Sequence, residues 1–107
     1  MPMICVSAFY PAAGESRFDM QYYLDQHIPL LGRLLKPFGL ETIEVDEGLA
    51  GGAPGAPANY KIICRMYFDT LENFQTALGA VGNEIFADIP NYTDIPVELQ
   101  VSNTLSF

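Results

Sequence analysis

The chain has 107 residues, half of them hydrophobic and 12% aromatic, with only 17% charged. That is enough for one domain, residues 1–107, around a continuous core, and the composition excludes intrinsic disorder. A net charge of −8 at pH 7 repels phosphate backbones and anionic lipid, so no nucleic acid and no membrane are expected as partners.

No apolar run approaches the ~20 residues of a membrane-spanning helix. Met1 to Tyr10 lacks a basic leader and a small-residue cleavage site, so a cytoplasmic location is expected. In that compartment Cys5 and Cys64 are expected as buried free thiols, and Asn91-Tyr92-Thr93 reads as a chance sequon.

Met3 to Tyr10 is an unbroken apolar run closed by Pro11 and Gly14, which predicts a buried strand. A helix follows, with Asp19 placed to cap its first turn and Phe18 and Tyr23 spaced as a hydrophobic staple. Met20, Tyr23, Leu24, His27, Leu31 and Leu34 recur at helical spacing as one apolar stripe. Pro29 removes the bond its N–H would make to the Asp25 carbonyl, so a kink beside His27 is expected. Lys36-Pro37 and Gly39 end the helix.

Leu40 to Gly48 alternates as a second strand, with Ile43, Val45 and Glu47 on one side. The Gly/Ala/Pro stretch from Gly48 to Asn59 reads as a long loop, either a lid or a tolerated insertion. Tyr60 to Phe68 is a third strand. Asp69 or Thr70 caps the next helix, and Glu72 completes a capping-box pattern with Asp69. Leu71, Phe74, Leu78 and Val81 make its predicted core face, and Asn83 to Asp88 a separate short turn. Val97 to Leu105 closes the chain as a fourth strand.

The order β-α-β-β-α-β predicts an α+β, ferredoxin-like domain: a four-stranded antiparallel sheet with two helices on one face. Alternation puts Ile43, Val45, Val97, Leu99 and Val101 under the helices and Glu44, Glu98, Gln100 and Ser102 on the other face. That second face takes either Ile63-Arg65-Tyr67 or Cys64-Met66-Phe68. Arg65 is expected there, among carboxylates, because burying a guanidinium under the helices costs far more. A part-apolar open face suits a second copy of the sheet, and a solvated face is the alternative.

Phe9-Tyr10-Pro11, Arg17-Phe18-Asp19, Tyr22-Tyr23, His27 and Pro29-Leu30 resemble the opening of the EthD family, named after ethyl tert-butyl ether degradation. Asp88-Ile89-Pro90-Asn91-Tyr92-Thr93-Asp94, with Gln100 after it, is similar to that family's closing pattern. The resemblance implies a homodimeric α/β barrel. Related barrels include muconolactone isomerases, cofactor-free monooxygenases and polyketide cyclases, which hold small hydrophobic molecules between sheet and helices. It therefore implies a role in a catabolic or tailoring pathway.

His27 is the sole histidine and lies mid-stripe, where lost hydration favours a neutral imidazole able to exchange a proton. A core histidine satisfied by a tyrosine or a carbonyl is the structural alternative. Tyr23, one turn away, and Asp88, as proton acceptor or orienting partner, are the candidate catalytic companions. Tyr22, Met20, Leu31, Asn91 and Tyr92 are the candidate ligand-binding residues, with turn formation the competing role for Asn91. No phosphate loop, metal triad or nucleophile elbow is present, so no cofactor and no metal are expected. Haem, which some related barrels bind, stays open through His27 as an axial ligand. The chemistry is left between a cofactor-independent enzyme and a non-catalytic carrier or accessory protein serving a partner oxygenase.

Overall fold

The computed structural model describes every residue except Met1, Pro2, Ala13 and Glu15, so the first two residues of the stretch read for a leader lie outside it. Four strands form one antiparallel sheet: β1 (Met3–Pro11), β2 (Leu40–Glu47), β3 (Tyr60–Phe68) and β4 (Glu98–Thr104), in the order β2-β3-β1-β4. Placing the first and third strands at the centre is what the predicted ferredoxin-like topology requires. The sheet is open, with β2 and β4 at its edges.

Register settles the two faces. Val6 lies between Met66 and Val101, and Ala8 between Cys64 and Leu99, so these side chains share the helix-covered face. Ile62, Cys64, Met66 and Phe68 are buried there, and Phe68 meets Phe74 of the second helical layer at 5.5 Å between rings. Ser7 lies between Arg65 and Gln100 on the other face. Arg65 stands there as expected, paired with Glu44 and Asp46, while the Tyr67 hydroxyl donates to Glu44 at 2.9 Å.

The first helical layer runs through α1 (Met20–Tyr22), a π turn (Tyr23–His27), α2 (Ile28–Leu35) and a 3₁₀ turn (Lys36–Phe38). Asp19 caps it by accepting from the Tyr22 N–H, and Phe18 packs edge-on against Tyr23 at 5.1 Å. Gly39, at φ +94°, turns the chain into β2. The second layer is α3 (Leu71–Asp88), continued by a 3₁₀ turn (Ile89–Asn91).

Four expectations need correction. The buried stripe of the first layer is Tyr23, His27, Leu31 and Leu35; Leu24 is exposed and Leu34 only half-buried. Repeated steps of four overshoot an α-helical face by about 40° each. The π turn, closed by the Ile28 N–H on the Tyr23 carbonyl, takes part of that drift back. Thr70, not Asp69, caps α3, accepting from the Asn73 N–H at 3.1 Å, so Glu72 completes no capping box. Of the face read for α3, Phe74 and Val81 pack half-buried on the core, Leu71 and Leu78 are exposed, and the fully buried residues are Ala77 and Gly82. Asn83 to Asp88 is the last part of α3 rather than a separate turn.

The loop from Gly48 to Asn59 folds on itself, with the Gly51 N–H on the Ala56 carbonyl at 2.8 Å. Its anchors are the Ala12 N–H on the Asn59 carbonyl and the Gly48 N–H on the Lys61 carbonyl.

Candidate functional site

Two stretches some seventy residues apart are stitched together at one end of the sheet. The Arg17 N–H donates to Asp94 Oδ1 at 2.9 Å, and the Arg17 guanidinium donates to the Pro90 carbonyl at 2.7 Å. Phe18 and Thr93 form an isolated antiparallel bridge, and the Asp19 N–H donates to the Tyr92 carbonyl at 2.7 Å. Thr93 Oγ1 donates to the Arg17 carbonyl and accepts from the Ile95 N–H. These bonds set the turn after α3 beside the start of the first helix, so Asp88, Asn91 and Tyr92 reach Tyr22, Tyr23 and His27.

His27 is 2% exposed. Its Nδ1 lies 2.9 Å from Asp88 Oδ2. Asp88 Oδ1 accepts from the Tyr22 hydroxyl at 2.6 Å and from Asn91 Nδ2 at 3.0 Å. Burial alone would push the Asp88 carboxyl up. The hydrogen bonds from Tyr22, Asn91 and His27 outweigh it and hold the group below the usual carboxylate range. Burial likewise pulls the His27 imidazole below its ordinary value, with Asp88 only partly opposing it. The pair is thus a neutral imidazole against an ionised carboxylate. A carboxylate only accepts, so the proton sits on Nδ1 and Nε2 keeps its lone pair.

The rings around His27 fix its plane. Tyr23 stacks on it at 5.7 Å and 18°, and Tyr92 leans against it at 4.6 Å. Tyr92 is fully buried, and its hydroxyl lies 2.7 Å from that of Tyr10. The Tyr23 hydroxyl is buried without a hydrogen-bond partner. Burial pushes all three phenols up, Tyr10 to about 12, so none of them ionises near neutral pH.

His27 lines a cleft of about 50 Å³ between α3 and the sheet. The rest of its wall is nearly all apolar, from Val6, Ala8, Leu31 and Met66 below to Phe74, Ile85 and Ile89 above. Leu78, Phe86 and Leu99 also border it and are more than a third exposed, so they form its mouth. Asp88 faces the other way, into a polar outer hollow with Tyr22, Asp25 and Arg33. The histidine–aspartate pair therefore stands as a partition between an apolar cleft and a wet surface.

Of the residues read from sequence, His27 and Leu31 line the cleft. Asp88, Tyr22 and Asn91 form the hydrogen-bonded group behind His27, Tyr23 and Tyr92 clamp its ring, and Met20 packs half-buried on the core. Cys64, Phe74 and Leu78 were read only as core residues, and Tyr10, Gly82, Ile85 and Phe86 were not singled out. Tyr10 lay hidden in an unbroken apolar run whose alternation names no face. Treating Asn83–Asp88 as a separate turn hid the spacing of Leu78, Gly82, Ile85 and Phe86. No residue of the Gly48–Asn59 loop borders the cleft, so the loop is no lid in this conformation.

An EthD domain model matches residues 14–96. The chain belongs to the EthD family. Among solved structures, an EthD-like protein from Ralstonia eutropha JMP134 is 41% identical over 95% of this chain and 91% of that one, with a TM-score of 0.87. An EthD family protein from Bacillus halodurans C-125 is 22% identical over 96% and 99%, TM-score 0.63. A dimeric ferredoxin-like protein of unknown function from Thermobifida fusca YX shares the fold at 16% identity over 96% and 92%, TM-score 0.56. No curated protein matches the chain.

The residues do not fit haem. A cleft of about 50 Å³ has no room for a porphyrin beside His27, and no Lys or Arg borders it to pair with propionates. Among the described residues no group of three or more His, Cys, Asp or Glu is placed to hold a metal ion, and no helix is long and apolar enough to cross a membrane.

Proposed function

We propose that this EthD protein binds a small hydrophobic compound, aromatic or lactone-like, in the cleft between α3 and the sheet. There it acts without cofactor, in the manner of an isomerase, cyclase or monooxygenase, with His27 as acid/base. The observation that carries this reading is a neutral imidazole, fixed through Nδ1 by an ionised carboxylate, on the wall of an otherwise apolar cleft. In the step envisaged, Nε2 takes a proton from the bound compound and the ring becomes an imidazolium. Asp88 stabilises that cation at 2.9 Å, and Nε2 returns the proton to the product. Tyr23 and Tyr92 hold the ring in plane, Tyr22 and Asn91 hold Asp88, and Leu31 forms part of the apolar seat.

The cleft is small beside the roughly 300–1,000 Å³ of sites for drug-sized molecules, which favours a compact ligand. We read the working unit as a homodimer in the cytoplasm. The Thermobifida relative is described as dimeric, and Leu71, Leu99 and Val101 are exposed apolar side chains that a partner copy would cover. The two free, buried cysteines suit a reducing compartment.

The test is mass spectrometry of wild type and His27→Ala, each incubated with a panel of phenols, quinones and lactones and scored for bound and converted species. Conversion by wild type alone supports the enzyme. Equal binding by both proteins without conversion replaces it with a carrier serving a partner enzyme.

A further inference from the structure

Three residues with polar side-chain atoms line the cleft, His27, Tyr10 and Cys64. Nδ1 of His27 is committed to Asp88 as a donor, because Asp88 already receives Tyr22 and Asn91 and, as a carboxylate, can only accept. Nε2 is then a lone pair, and no described residue donates to it. The Tyr10 hydroxyl is bonded to that of Tyr92 at 2.7 Å. The Cys64 thiol is a weak donor, and burial pushes it up to about 11, so it stays protonated. No Lys, Arg, Asn or Gln borders the cleft, so nothing there is built to receive a carboxylate or to polarise a carbonyl strongly.

We propose that the cleft selects a compact, neutral hydrogen-bond donor, a single-ring phenol or an enol whose hydroxyl points at Nε2 of His27. Compounds offering only a carbonyl, and carboxylates, are discriminated against. The inference rests on the cleft being the ligand site and narrows which of the candidate classes it takes. A phenol gives Nε2 the proton it lacks and lays its ring on Leu31 and Met66. A quinone or lactone oxygen at the same point sets acceptor against acceptor, with both desolvated. An ether of the same shape leaves Nε2 unpaired. Leaving a buried acceptor unpaired corresponds to a preference on the order of tenfold to a hundredfold.

The probes are 4-chlorophenol, its methyl ether 4-chloroanisole, 4-chlorobenzoate and 2-cyclohexenone, titrated into the full chain by calorimetry. His27 being the sole histidine, the ring nitrogens are followed in parallel by ¹⁵N NMR without ambiguity of assignment. Expected is an unliganded ring protonated on Nδ1, with a Nε2 signal that shifts when 4-chlorophenol is added. 4-Chlorophenol should bind ten- to a hundredfold tighter than 4-chloroanisole, with the enone and the benzoate weaker still. In His27→Phe the phenol loses its advantage over 4-chloroanisole. Equal affinity of wild type for phenol and ether, or an apo ring protonated on Nε2, overturns this inference and leaves the cleft a ligand site. Failure of every probe to bind overturns both. The wild-type series decides the matter even where His27→Phe does not fold.

Discussion

At the scale of single residues the phenols of the cluster divide into three that are hydrogen-bonded, Tyr10, Tyr22 and Tyr92, and one that is not. The Tyr23 hydroxyl is buried with no partner, at a position where the ring itself is indispensable as the stacking face for His27. Tyr23→Phe keeps the ring and removes the orphan, so it should leave stability unchanged or raise it by about 1 kcal/mol in urea unfolding. A loss of that size would reveal a bond the hydroxyl makes in solution. Asp88→Asn should do the opposite. The amide cannot accept from three donors as a carboxylate does, and the Nδ1 proton of His27 loses its anionic partner. A loss of roughly 1–3 kcal/mol is expected by the same measurement, together with a mixed imidazole tautomer in ¹⁵N spectra. His27 and Leu31 were legible from sequence because helical spacing places them on one face. The bond from His27 to Asp88 was legible only as a possibility, since it closes over sixty-one residues and depends on where the turn after α3 lands. Nothing in the local pattern of Tyr10 separates a cleft-facing tyrosine from a core one.

Elements were read more securely where backbone chemistry is local. Asp19 as cap, Phe18 against Tyr23 and Gly39 as the helix stop all act within a few residues, and all are in place. Gly39 invites a direct check. Its φ of +94° disfavours any side chain, and a Cβ there would stand 2.8 Å from Asn73 Nδ2 in the first turn of α3. Gly39→Ala should therefore cost about 1–3 kcal/mol, read as a lowered melting temperature. A neutral result would mean that the turn can relax into a right-handed conformation. The π turn escaped the sequence reading because its cause is a combination. Pro29 offers no N–H to the Asp25 carbonyl, and the widened turn just before it gives the ring room while keeping Tyr23 and His27 pointed inward. Period counting assumes 3.6 residues per turn throughout, so it drew Leu24 and Leu34 into the stripe. It found α3's inner face only in part, through Phe74 and Val81, which pack on the core. Small residues, Ala77 and Gly82, are the fully buried ones there, and a search for large apolar side chains passes over them.

For the molecule as a whole, element order pointed to the ferredoxin-like sheet, and alternation together with the cost of burying Arg65 separated the faces of β2, β3 and β4 but not those of β1. They say nothing of what covers the open face or the exposed Leu99 and Val101. Light scattering at micromolar concentration should give twice the 11.8 kDa chain mass, and a monomer mass would remove the dimer from the reading. Stability against pH tests the charge state of the site within the whole. His27 titrates lower folded than its ordinary 6.5, so the unfolded chain binds the extra proton first as pH falls. Stability is then complete above about pH 6.5 and declines as pH falls through the window down to the depressed folded value. Asp88, also held low, adds loss in the same direction below its ordinary 3.8. The net charge of −8 acts the other way, because protonating surface carboxylates towards the pI of about 4.2 relieves self-repulsion. Comparing wild type with His27→Gln removes that shared background, since glutamine does not titrate and its amide can still donate to Asp88. The difference in unfolding free energy between the two proteins should be flat from pH 8 to 7 and shrink steadily below pH 6.5. A difference that instead grows on acidification would mean that His27 is protonated in the folded protein, and the neutral base at the head of the cleft would have to be abandoned.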